Sequence, residues 1–596
     1  MNQNQLKLLP YGVSDYYLFR RDNYYLVDKT RYIRDIEDKG RYLFLIRPRR
    51  FGKSLFLSIL EYYYDIHQKD KFDELFSGTD IHSHPTIERN SYMVLKFNFA
   101  DIFPNTTLIE EEFLHYIKST VIAFTIKYQS LLQIDIELAR KEIESAKSAS
   151  WVLVGLLNYC KGQKHKLYVI IDEYDNFSNT ILSTAGEDAF KDITHGEGFL
   201  RAFFNVIKGG TTGSDSPISR LFMSGVSPIT LDDVTSGFNI ATNISLHSDV
   251  NDIMGFTYKE IETMIAYYRQ TGKIKHSNAE LMEILGYWYN HYRFSLDATT
   301  EVFNTVHILY FLREYMLNSR IPTELIDRNA RIDYNKLRHL IIVDKKGTPI
   351  ANGNFLKLRQ IIETNRAQTY IKEGFPSDKL TEQENFYSLL YYFGLLTISG
   401  STPSGQAILT IPNEFVKRLY FDYLKETLND AYSFHIDMGT FFNLVEEMAI
   451  KGNWKGLIEY IAGRMSESLS LRDLMAGEKA HQVFWNAYLG LSQLYTVYSE
   501  KELNQGYSDL VLEPFLTRFP WIKYSYIMEF KYIKASESNQ PDTQKLETLK
   551  KEAALQLTKY SNDEKFKKII GTTQLIKLVL IFSGNRLVYL DEVTDC

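Results

Sequence analysis

Hydrophobic positions in the first 225 residues follow two alternating rhythms. Short apolar runs at Tyr42–Ile46, Met93–Phe99, Leu167–Ile171 and Leu221–Ser224 are separated by stretches with helical spacing, among them Leu55–Tyr64 and most of residues 108–147. Runs that are apolar throughout belong to strands covered on both faces, so the pattern predicts an α/β region built on a mostly parallel sheet. A Gly/Ser/Thr-rich break, Gly209–Ser216, precedes the last run. From about Gly255 the spacing turns helical, with Phe256-Thr257 as entry and cap for a helix over Tyr258–Tyr268. Residues 385–425 read as a helix and strand (FYSLLYYFGLLTI), a polar turn (STPSGQ) and a second strand (AILTIPNEF), the outline of a winged-helix wing. After about 440, helices lead to a strand pair, Ser508–Glu513 and Tyr524–Tyr532, then a charged helix over Gln544–Tyr560 and an apolar strand over Leu575–Phe582. The expected division is an α/β core over 1–250, a helical and wing-bearing region over 251–440, and an independent α/β tail over 441–596.

Composition narrows the class without naming a function. A chain of 596 residues exceeds a single domain at roughly 100–200 residues each. With 44% apolar and 24% charged residues it is ordinary globular protein. No apolar stretch approaches the ~20 residues of a membrane span. The opening MNQNQLKLLPYG lacks the layout of a secretory leader. Two cysteines, Cys160 and Cys596, make neither a disulfide framework nor a cysteine-rich zinc site, so a cytoplasmic location is expected. The net charge of −6 means that any nucleic-acid surface is a local basic groove.

The strand–turn–helix segment LFLIRPRRFGKSLF, residues 43–56, ends a phosphate loop with Gly52-Lys53-Ser54. Backbone N–H groups of Arg49, Arg50, Phe51 and Gly52 at a helix start would cradle phosphate, Lys53 would reach the terminal phosphates and Ser54 would hold Mg²⁺. The usual first glycine of such a loop is replaced by Arg47, and Arg47, Arg49 and Arg50 are expected to concentrate positive charge at its mouth. The buried-strand run LYVIIDE ends in Asp172 and Glu173, as expected for a Mg²⁺-binding aspartate and a water-polarising glutamate. The next strand would place Ser224 by the terminal phosphate, and Arg201 or Arg220 could supply an arginine finger.

At this point the chain resembles the bacterial and archaeal AAA-ATPase-like proteins that carry a C-terminal PD-(D/E)XK nuclease domain. The resemblance rests on YLVDKT (Tyr25–Thr30), RPRRFGKS (Arg47–Ser54), IDEYD (Ile171–Asp175), FMSGVS (Phe222–Ser227), YNHYRF (Tyr289–Phe294) and Leu395-Leu-Thr397, and runs nearly end to end. It implies an AAA-like P-loop ATPase core, a helical lid with a winged-helix-like segment, and a restriction-endonuclease-like α/β tail. The absent first glycine is a habit of the family.

Independent of that resemblance, the tail carries chemistry. Asp509 opens one strand, and in YSYIMEFKY the two-residue period puts Glu529 and Lys531 on one face, with Met528, Phe530 and Tyr532 on the other. Charges in an apolar strand are costly unless partnered. Asp509 and Glu529 sharing Mg²⁺, with Lys531 orienting or deprotonating a water, would satisfy them. Gln556 and Tyr560 share a helix face and match the Q-x-x-x-Y of the superfamily, while Glu478, with His481 one turn on, would add a ligand.

The expected function is ATP binding and hydrolysis coupled to a Mg²⁺-dependent nuclease that cleaves nucleic acid, with DNA favoured over RNA and defence against foreign DNA as its purpose. ATP and Mg²⁺ are the expected cofactors, no membrane is involved, and a homo-oligomer is compatible with the sequence. The alternative is an ATP-dependent signalling or scaffold protein whose nuclease-like tail binds without cleaving. A third reading, an NTPase that remodels proteins through a central pore, lacks an identifiable aromatic pore loop.

Overall fold

The computed structural model describes residues 6–103, 108–229, 240–327, 329, 353–432, 434–468, 477–503, 506–534 and 543–594. They divide into two compact units, one drawn from residues 1–341 and 366–415, the other from 342–365 and 416–596. Cys596 lies outside the described residues.

The first unit is organised by a five-stranded sheet of β1 (Tyr42–Ile46), β2 (Met93–Asn98), β3 (Leu167–Asp172), β4 (Ile218–Gly225) and β5 (Thr242–Asn243), in the order β2-β3-β4-β1-β5. Every pairing is parallel, so all strands end at the same edge. All six residues of β3 are buried, as its unbroken apolar run requires. The chain leaves β1 for the far edge and returns through β3 and β4, then reaches β5 on the other side of β1. That reversal opens a crevice beyond the C-terminal end of β1, where open α/β sheets hold ligands.

The helix Lys53–Tyr64 lies against β2 and β3, while the helices Ile109–Lys127, Ala149–Cys160 and Phe199–Gly210 pack on one another. A cluster of phenylalanine rings sits beside them. Phe203, fully buried, meets Phe97, Phe113 and Phe204 edge-on at centroid distances of 5.5, 5.3 and 5.7 Å.

The middle segment follows its local signals closely. The two-residue strands β6 (Phe256–Thr257) and β7 (Val302–Phe303) pair antiparallel. Thr257 and Glu260 form a capping box on the helix Tyr258–Arg269, and Ser277 and Glu280 form another on Asn278–Tyr289. The wing-like segment is a three-stranded sheet, β8 (Ala367–Thr369), β9 (Thr397–Ser401) and β10 (Ala407–Thr410), ordered β8-β10-β9, with the helix Gln383–Tyr392 before the β9–β10 hairpin. No helix among the described residues is long and apolar enough to cross a membrane.

The second unit holds five strands in sequential order: β11 (Tyr495–Leu503), β12 (Gly506–Pro514), β13 (Tyr524–Ile533), β14 (Gln574–Ser583) and β15 (Arg586–Glu592). Only β13 and β14 pair parallel, and their crossover carries the helices Thr543–Ser561 and Glu564–Ile570. The sequence pattern anticipated β12, β13 and β14 but missed both edge strands. β11 and β15 are polar (YTVYSEKEL, RLVYLDE), and edge strands carry charge that blunts further pairing. On β13 the alternation holds. Ile527 and Ile533 pack with Ala553 and Leu557 of the crossover helix, whereas Phe530 meets Trp485 of the helix Glu478–Leu489 on the other face.

Phe203→Ala should lower the unfolding free energy of the first unit by about 3–5 kcal/mol, because Phe97, Phe113 and Phe204 lose a partner at once. Thermal unfolding checks this, and a shift under about 1 kcal/mol would mean that the cluster collapses to fill the void.

Candidate functional site

In the first unit, the loop between β1 and the helix Lys53–Tyr64 lies at the sheet's reversal point. Its left-handed positions are Arg50 (φ +68°) and Gly52 (φ +99°), and Arg47 is not among them. A side chain is therefore tolerated where other phosphate loops begin with glycine. Arg47 corrects the expectation that it adds charge at the mouth. It is buried, donates to the carbonyls of Ile46, Ser245 and Val250 at 2.8–2.9 Å, and stacks on Phe294. Burial pulls its guanidinium down to about 10. It serves as an internal strut. Phe51 is likewise inward, its ring edge-on between Tyr292 and Phe294, so that only its backbone faces the loop's business.

Lys53 lies almost wholly buried, its ammonium donating to the carbonyls of Arg47 and Pro48 at 3.2 Å each and lying 3.7 Å from Glu173. An ammonium has three donors, so two hold it inside the loop and one remains for an anion. The Ser54 hydroxyl donates to Asp172, whose carboxyl is nonetheless pushed up, by burial first and then by the charge of Glu173. Glu173 occupies left-handed backbone (φ +51°), which a non-glycine residue keeps only where its surroundings hold it. The next turn supplies that hold. Asp175 is fully buried and accepts from the amides of Val226 (3.2 Å) and Ser227 (2.6 Å), and Tyr174 donates to the Ser227 carbonyl. A Cβ on Gly225 would fall 2.4 Å from the Tyr174 ring, so glycine is needed for the ends of β3 and β4 to approach. Burial, then Glu173, raises the Asp175 carboxyl to about 6.

Some of these groups line a cleft of about 250 Å³. Arg50, Gly52, Lys53, Ser54 and Glu173 are its polar and charged lining, and Tyr25, Val27, Phe256, Val306 and Leu309 are among its apolar lining. A ligand with both an anionic and an apolar part matches that mixture. Three expected groups are not brought there. Ser224 is fully buried and donates to the Leu45 carbonyl within the sheet. Arg220 sits near the start of β4, away from the strand ends that bear the loop, and is engaged by Glu88 and by the Gly40 carbonyl. It is no finger. Arg201 lies on the helix Phe199–Gly210 and does not line the cleft.

In the second unit, the β12–β13 ladder pairs Leu510 with Met528, and one step further sets Asp509 opposite Glu529. Both are buried. Asp509 accepts from the Phe530 amide and from the side chain of Gln482, each at 2.7 Å. Burial, and then the facing Glu529, pushes the Asp509 carboxyl up to about 8, and burial raises Glu529 as well. Lys531 lies 2.8 Å from Glu529 Oε1 and 4.0 Å from Glu478. Burial alone would lower the Lys531 ammonium, yet the surrounding carboxylates raise it on balance. Glu529 Oε2 is buried without a hydrogen-bond partner among the described residues, as is Gln556 Oε1. Tyr560 packs with the apolar cluster under the crossover helix, and its hydroxyl feels the charges of Glu529, Asp509 and Lys531.

His481 is a correction. Its Nε2 lies 2.9 Å from the Gly584 carbonyl and its ring stacks on Phe582 at 4.0 Å, so it belongs to the core of the opposite face. No group of three or more His, Cys, Asp or Glu side chains placed to hold a metal occurs among the described residues. Gln482, which sequence reasoning missed, is one helical turn from Glu478, and that spacing was the available signal.

Two stretches of the chain match known families. Residues 10–235 match the predicted AAA-ATPase family, and residues 476–592 match the PD-(D/E)XK nuclease superfamily. A relative from Azotobacter chroococcum mcd 1, described as an uncharacterized protein in the vnfD 5′ region, is 27% identical over 326 residues, 54% of this chain and 56% of that protein. The chain thus matches little more than half the length of that relative. Among solved structures, the Aeropyrum pernix ORC1 protein in complex with DNA aligns with 67% of this chain and 91% of that one, at 10% identity and a TM-score of 0.27, too distant to bear on function. The protein is an α/β multidomain chain that carries an AAA-ATPase-like domain and, at its C-terminal end, a PD-(D/E)XK nuclease superfamily domain.

Proposed function

We propose that the chain binds and hydrolyses ATP and that its nucleotide state governs a Mg²⁺-dependent nuclease acting on DNA. Defence against foreign DNA is the purpose such a pairing would serve. The observation that carries the nuclease half is the facing pair Asp509 and Glu529, buried, raised in pKa, and leaving Glu529 Oε2 without a partner among the described residues. Two carboxylates that repel each other in a low-dielectric site fit a hard divalent cation, which takes oxygen ligands and retains several waters. When bound, Mg²⁺ supplies Lewis acidity and neutralises charge for phosphoryl chemistry.

The protein's own groups do the rest. Asp509 and Glu529 would hold the cation, and Gln482 and the Phe530 amide fix the Asp509 carboxylate. Lys531, held by Glu529, would orient a water or stabilise charge on the scissile phosphate, with Glu478 next to it. In the first unit, Ser54 and Asp172 fit a second Mg²⁺, Lys53 and the amides of Arg49–Gly52 would bind the phosphates, and Glu173 would polarise water.

Lys53→Ala should weaken ATP binding about 100-fold or more, measured by calorimetry, because a charge-assisted donor to the phosphates is lost. Unchanged affinity would refute the loop assignment. Glu173→Gln should bind ATP normally and turn over about 10²–10⁴-fold more slowly. On plasmid and linear DNA with Mg²⁺ and ATP, Lys531→Ala should abolish cleavage while gel-shift binding persists. A wild type that never cleaves under any nucleotide or metal condition would favour the scaffold reading.

The raised carboxyl of Asp509 has a sign that can be checked. A carboxyl raised in the folded state by burial and by the facing Glu529 contributes stability that is fully present below its unfolded pKa and is lost as pH rises through its folded one. Asp509→Asn should flatten this part of the melting-temperature profile, and Mg²⁺ should raise the wild-type melting temperature more at pH 8 than at pH 6. Equal Mg²⁺ shifts at both pH values would argue against a cation on this pair.

A further inference from the structure

The phosphate loop contains one glycine between Arg47 and Lys53 and still adopts left-handed backbone at Arg50, which its own residue types do not favour. Something outside the loop must hold it. Its carbonyls show what does. Arg47 and Pro48 give theirs to Lys53. The next three go to consecutive residues at the start of the helix Thr305–Asn318. The Asn304 side-chain amide donates to the Arg49 carbonyl (3.2 Å), the Val306 N–H to Arg50 (3.3 Å), and the Thr305 hydroxyl to Phe51 (3.1 Å), whose carbonyl also accepts the Gly255 N–H at 3.0 Å. Asn304 is fully buried, and its Oδ1 also caps the helix by accepting from the amides of Val306 and His307.

We infer that Asn304 and Thr305 are positioning residues that clamp the phosphate loop into its anion-binding shape, replacing the glycines it lacks. In a trans peptide the C=O and the following N–H point in opposite directions. Holding the carbonyls of Arg49, Arg50 and Phe51 against the helix therefore turns the N–H groups of Arg50, Phe51 and Gly52 away from it. Thr305, Val306 and Leu309 also line the cleft, so one helix both shapes the loop and walls the site. The movement of that helix and the grip on phosphate become a single event. This rests on the ATP reading for its consequence, but the clamp itself is a statement about the loop.

The test uses the full chain with Thr305→Val, which removes only the hydroxyl, Thr305→Ser, which restores it, and Asn304→Ser, which keeps a helix cap but not the reach to Arg49. Amide hydrogen exchange of residues 49–54 without nucleotide reads the clamp directly. It should accelerate in Thr305→Val and Asn304→Ser and return to the wild-type rate in Thr305→Ser. Binding of a fluorescent ATP analogue should weaken about threefold to tenfold in Thr305→Val and in Asn304→Ser, the size of one lost hydrogen bond, and recover in Thr305→Ser. Exchange unchanged in both variants overturns the clamp, as does a loss of binding that Thr305→Ser fails to restore. A wild type that binds no nucleotide, with exchange behaving as expected, overturns the ATP reading and leaves the clamp standing.

Discussion

A loop that wraps an anion must turn its N–H groups inward and settle its carbonyl groups elsewhere. Most of the first unit's arrangement around the cleft follows from how this chain meets that demand. From Ile46 to Phe51 each carbonyl has a donor: Arg47 for Ile46, Lys53 for Arg47 and Pro48, and residues 304–306 for Arg49, Arg50 and Phe51, with the Gly255 amide also on Phe51. Those donors come from the loop itself, from the entry to the β6 strand and from a helix some 250 residues later in the chain. The middle region thereby helps to hold the loop and is not an appendage to it.

The second unit solves a related problem with charge in place of dipoles. A strand that is otherwise apolar carries Glu529 and Lys531 beside Asp509, and burial makes each ionised carboxylate expensive. Part of that cost is offset inside the protein, by Gln482, the Phe530 amide and the Lys531–Glu529 pair. One oxygen of Glu529 is left over.

How much of this was legible beforehand depends on how local the signal is. Strands β1, β3, β4 and β14 announced themselves by apolar runs, and the helix entry and cap at Phe256-Thr257 by its residue types, because burial and capping act over a few residues. The polar edge strands β11 and β15 did not, since their place at the sheet's margins removes the hydrophobic signature. Residue type misled in three places. Arg47 looked like a charge at the loop mouth and is a buried strut, Arg220 looked like a finger and is paired to Glu88, and His481 looked like a ligand and is a stacked core ring. In each case partners more than 100 positions away decided the role.

The sequence by itself determined the chemistry available: a Gly-Lys-Ser helix entry after an apolar strand, a paired Asp172-Glu173 strand end, and an Asp509…Glu529-x-Lys531 set whose two-residue period must put Glu529 and Lys531 on one face. Those follow from backbone periodicity, which needs no distant contact. Only the tertiary structure decided that Asp509 stands opposite Glu529, that Gln482 fixes it, and that Asn304 and Thr305 receive the loop's carbonyls. Register between strands and the docking of one helix on a remote loop are set by packing among segments that the chain's order keeps far apart.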